Sequence, residues 1–97
     1  MKTFKDLEFK KRDIGGIGAF IEFDNDITIS VQASKFNYST PREDLTSPDD
    51  FSTFEVAVID VNSDSITKDF VPNASDDVLG WQDRGEINAL MMLIQNS

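Results

Sequence analysis

The chain has 97 residues, with 9 Lys and Arg against 18 Asp and Glu, a formal charge of −9, and neither Cys nor His. Those two absences exclude disulfides, thiolate nucleophiles, Cys-type zinc sites, an imidazole base and His-ligated metals. Carboxylate, Lys, hydroxyl and Tyr chemistry is left, in a single domain over residues 1–97 whose 39% hydrophobic content and eight Phe suffice for one core.

Charge is unevenly placed. Residues 1–12 carry five basic and two acidic side chains and residues 13–97 four basic and sixteen acidic, so +3 precedes −12. An acidic body argues against nucleic acid as a direct ligand, because phosphate binding needs cations, and favours a basic partner surface. The bland account is that acids keep a small domain soluble. Residues 1–12 contain no apolar run long enough for a signal-peptide core or a membrane span, so the expectation is a cytoplasmic chain without membrane contact.

In chain order, Leu7 and Phe9 alternate with Glu8 and Lys10, which predicts a first strand over residues 4–11. Gly15, Gly16 and Gly18 supply a tight reversal, and Ile17, Ala19, Ile21 and Phe23 alternate as a second strand. Asp24-Asn25-Asp26 predicts a hairpin into a third strand with Ile27, Ile29 and Val31 on one face. Residues 33–52 lack a period and hold Pro41, Pro48, four acids and the anchors Phe36, Tyr38, Leu45 and Phe51. They read as a long acidic loop, either a partner-contacting flap or a mobile excursion.

Residues 54–61 form the strongest strand pattern, apolar on both faces in its second half and hence central or covered. Asn62-Ser63-Asp64 turns the chain, Ser65–Val71 predicts a fifth strand, and Pro72 stops it. Asp83 and Glu86 have capping-box spacing, and Ile87, Leu90, Met91 and Ile94 follow a helical period, giving an amphipathic helix over residues 84–95. The fold class is α+β: an antiparallel sheet of about five strands with one C-terminal helix packed on it.

No motif carries catalytic chemistry. Asp60, Asn62 and Asp64 match the first positions of an EF-hand loop, but Ser65 and Val71 stand where Gly and Glu belong, so a polar turn is the better reading and no metal is expected. Gly15-Gly16-Ile17-Gly18 lacks the following Lys and helix of a phosphate loop. The Asp49-Asp50 and Asp76-Asp77 pairs have no partner to split their pKa values. Neither an enzyme nor a cofactor is expected. Trp81 is expected to staple the helix or sheet, with a partner hot spot as the sharper alternative.

Met1 through Phe9, the glycine hairpin, Phe54-Glu55-Val56-Ala57-Val58, Asp76-Asp77-Val78-Leu79-Gly80-Trp81 and a helix ending in Ile94-Gln95 together resemble a group of short bacteriophage proteins. The resemblance implies the cytoplasm of an infected bacterium and brings no catalytic residues. Small acidic phage proteins are often inhibitors of host machinery, anti-CRISPR and anti-restriction proteins included. The leading expectation is an inhibitor that binds a host protein's basic, nucleic-acid-binding surface through Tyr38, Glu43, Asp44, Asp49, Asp50 and Phe51. A structural or assembly protein of a phage complex is the alternative, with self-association left open. A small hydrolase or ligand binder is third.

Overall fold

The computed structural model describes residues 1–97. Its frame is a five-stranded antiparallel sheet in the order β1-β2-β3-β4-β5, with β1 at Lys10–Lys11, β2 at Ile17–Glu22, β3 at Thr28–Ala33, β4 at Phe54–Ile59 and β5 at Leu79–Gln82. A one-turn helix α1, Thr67–Phe70, precedes β5, and α2, Arg84–Gln95, closes the chain. The α+β class and the C-terminal helix follow the sequence reading.

One kind of turn recurs in the meander. Arg12–Gly16, Phe23–Ile27 and Asp60–Asp64 each close through a backbone bond between their end residues, at 3.0, 2.8 and 3.0 Å, with a second bond across the turn. The last loop residue has positive φ each time: Gly15 at 102°, Asp26 at 66° and Ser63 at 66°. This is a type I turn with a left-handed residue, whose twist suits a hairpin. Glycine makes that backbone easy at position 15, and a short polar side chain tolerates it at the other two.

Alternation then sorts the sheet. Ile17, Ala19, Ile21, Ile29, Val31, Ala33, Phe54, Val56 and Val58 are buried on one face, where Ile87, Leu90, Met91 and Ile94 of α2 meet them. Asp83 caps the helix as its spacing requires: its carboxylate accepts the Glu86 N–H at 2.8 Å while Glu86 accepts the Asp83 N–H at 3.0 Å. Arg84, in the first turn, lies 5.1 Å from the Phe4 ring centroid and 5.3 Å from that of Phe54, and donates to the carbonyls of Pro48 and Phe51.

Two expected strands differ. Over residues 4–11 only Lys10 and Lys11 pair, because Phe4–Asp6 is a 3-10 turn closed by the Thr3 N–H on Asp6, and α2 takes up nearby amides through Asn88 and Gln95. Side-chain alternation survives there without strand hydrogen bonds, Leu7 being buried and Glu8 exposed. Ser65–Val71 is not a strand. The return begins with a bridge from Ile59 to Ser65, after which the buried Thr67 hydroxyl replaces a backbone carbonyl and takes the Val58 N–H at 3.0 Å. That releases the chain into α1, and the edge of β4 is completed by Leu79–Gln82 instead.

Candidate functional site

The sheet face away from α2 has no second layer. Residues of β2, β3 and β4 that alternate with the core residues point there: Gly18, Phe20, Glu22, Thr28, Ser30, Gln32, Glu55, Ala57 and Ile59. On it Phe20, in β2, is 63% exposed.

At the β4–β5 end this face is built up by the segment after β3. Residues 34–39 leave the ladder and Thr40 rejoins it opposite Thr53. The excursion is anchored on Glu55, whose carboxylate accepts the Asn37 side-chain amide at 2.7 Å and the Tyr38 N–H at 3.2 Å. Asn37 also accepts from Ser34 Oγ at 2.6 Å and from the Arg12 guanidinium, so the hub ties the residues that follow β1 and β3 to β4.

β5 reaches the same place through a bulge. Phe54 pairs with Gln82 and Val56 with Leu79, which leaves Gly80 and Trp81 opposite Glu55 alone. A bulge re-aims a side chain, and here it does so with Trp81 in left-handed backbone at φ 53°. The Trp81 N–H donates to the Tyr38 carbonyl at 2.8 Å, and the two rings stack with centroids 5.0 Å apart and planes 26° from parallel. Gly80 makes this approach workable, since a Cβ there would stand 2.9 Å from the Tyr38 Cβ. Arg42 covers the Tyr38 ring at 5.4 Å. Trp81 nevertheless remains 53% exposed and Tyr38 40%, and Phe36, two residues before Tyr38 in the same excursion, is 74% exposed.

Trp81 is therefore not the expected staple: its ring packs on Tyr38, and the bulge is the reason. Phe51 must be removed from the expected contact set as well. It is 2% exposed and packs 6.1 Å from Phe54, because the long loop returns to the sheet by seating that ring in the core.

The other four site residues are exposed but do not form one group of equivalent acids. Asp44 clamps the loop to the glycine turn: it accepts the Lys35 N–H at 2.9 Å and lies against Gly15. Glu43 neighbours it. Asp49 and Asp50 sit on a 3-10 turn, Pro48–Asp50, held by Arg84 near the helix start. Asp60 is occupied by its own turn, accepting from the Asn62 and Asp64 N–H groups at 2.9 and 3.0 Å.

The composition of this ledge is that of a contact surface: large rigid aromatics, an arginine and carboxylates, with its buried polar atoms satisfied. Sequence reasoning missed Arg42, Glu55 and the aim of Trp81. Gly80 inside a strand-like run was the available signal, since an interior glycine marks bulges and close approaches. Comparisons of the chain with protein-family models, curated proteins and solved structures give no match.

Proposed function

We propose that the chain is a non-enzymatic binding protein whose contact surface is the ledge of Trp81, Tyr38, Phe36 and Arg42, with Glu43 and Asp44 beside it. The observation that carries this reading is Trp81, held in backbone unfavourable to a non-glycine residue and left more than half exposed on a stacked partner. Strain of that kind, of order 1 kcal/mol, persists where surrounding structure enforces it and clusters at functional positions. Folding has no need of an exposed indole, whereas Trp and Tyr dominate binding hot spots.

The partner fits a protein with a basic surface, on account of the −9 charge and the carboxylates near the ledge. On the resemblance to short phage proteins that partner would belong to an infected bacterium, where occupying a nucleic-acid site of a defence or replication complex would inhibit it. Copurification from nuclease-treated bacterial lysate tests the reading with the parent, Trp81→Ala and Asp76→Asn. One basic protein held by the parent and by Asp76→Asn but lost with Trp81→Ala is expected. Equal recovery with Trp81→Ala, or recovery that nuclease abolishes, would overturn it.

A further inference from the structure

The β1–β2 edge of the open face carries a second feature, which adjoins the aromatic ledge through the Arg12–Asn37 contact. A groove of about 600 Å³ runs along the β1–β2 hairpin, with Lys10, Lys11, Arg12, Glu8 and Asp13 on its walls and Gly18, Phe20 and Gln32 on its floor. Three consecutive cations line it in a chain whose remaining residues, 13–97, carry −12. We propose that this groove is a second interaction surface, taking an extended peptide segment of a partner that carries acidic side chains next to an aromatic or branched aliphatic one.

Lys10, Lys11 and Arg12 outnumber Glu8 and Asp13 on the walls and favour an acidic side chain, and Arg12 offers a held donor to meet it. Arg12 is half-buried and its guanidinium is already held by Asn37, so engaging its other N–H groups costs little further freedom. Arginine held in this way suits a carboxylate, which it binds with a planar fork of donors. Gln32 lies over Gly18, where any side chain would displace its amide, and so places a polar group on the floor. Phe20 and Ile14, 63% and 74% exposed, supply the apolar contact.

The same exposures argue for a peptide over a small molecule. Ligand pockets enclose most of their ligand, and a trough whose apolar side chains stand mainly in solvent cannot do so. A second copy would bring a whole body of charge −9 against one of the same sign, a larger repulsion than a short acidic segment meets at this locally basic edge.

The probe is a short blocked peptide alternating Glu with Phe and Val, titrated into the full chain and followed through backbone amide NMR shifts. Saturable shifts confined to residues 8–14, 18–20 and 32 are expected. Lys10→Glu/Lys11→Glu, both exposed and outside the core, should keep the parent melting temperature and weaken binding about tenfold or more. Trp81→Ala should leave the affinity within about twofold, which separates this surface from the ledge. Equal binding of a peptide with Lys in place of Glu, an unchanged affinity for the double Lys variant, or no saturation by about 1 mM would overturn the proposal. So would peptide-free self-association that the double variant abolishes, which would assign the groove to a second copy.

Discussion

Single residues decide where this small sheet spends conformational strain. At Trp81 two effects oppose: left-handed backbone costs a non-glycine residue about 1–2 kcal/mol, while the Tyr38 stack returns about 0.5–1.5 kcal/mol. Trp81→Ala removes the stack and keeps the strain, whereas Trp81→Gly removes both. The glycine variant should therefore be the more stable of the two by about 1 kcal/mol in urea denaturation. An alanine variant as stable as the glycine one would mean that the backbone is not strained at that position. Thr67 presents the opposite case, a residue with no exposure whose hydroxyl accepts the Val58 N–H and donates to the Asp77 carbonyl at 2.7 Å. Ser65 also serves Asp77, so Thr67→Val orphans chiefly the Val58 N–H and should cost about 1–3 kcal/mol. Urea midpoints of Thr67→Val and Thr67→Ser, which keeps the hydroxyl, check the assignment: the serine variant should lose less.

Among the elements, α2 is where local preference and tertiary packing agree. Its cap is reciprocal and its four buried residues are those the period selected, so Asp83→Ala should cost about 1 kcal/mol and Leu90→Ala about 2–5 kcal/mol, both read from urea midpoints. A Leu90→Ala loss under 1 kcal/mol would contradict its place in the core. The sheet interior was equally legible, because β2, β3 and β4 obey a period of two and one face of each is buried. Legibility failed where a side chain replaced a backbone partner. Nothing in the alternation of Ile66, Lys68 and Phe70 reveals that the Thr67 hydroxyl will take a ladder amide, and nothing in residues 4–9 reveals that Asn88 and Gln95, over eighty positions away, will hold the N-terminal backbone. The candidate site was half legible for the same reason. Tyr38, Glu43 and Asp44 stand out as polar and aromatic loop residues, whereas Phe51 joins the core and Trp81 turns outward because of register between β4 and β5.

At the scale of the whole molecule, charge and contact play different parts in binding. Carboxylates act at long range and set how fast a basic partner arrives, while a stacked indole acts on contact and sets how long it stays. Glu43, Asp49 and Asp50 are exposed, and no hydrogen bond of their carboxylates holds the fold together, in contrast to Asp44 with its clamp on the loop. Neutralising those three as Glu43→Gln, Asp49→Asn and Asp50→Asn takes away a third of the −9 charge without touching the core. Against the basic partner, stopped-flow association at low salt should slow by roughly 3–10-fold and its dependence on ionic strength should flatten, since exposed charges are screened within a Debye length of about 8 Å at physiological salt. Dissociation should hardly change. Trp81→Ala should do the reverse, with association near the parent rate and dissociation faster by about tenfold or more. If the triple variant associates as fast as the parent, steering belongs to another acidic region, and Asp60, Asp64, Asp69, Asp76 and Asp77, which cluster in sequence around α1, become the group whose neutralisation must slow the encounter.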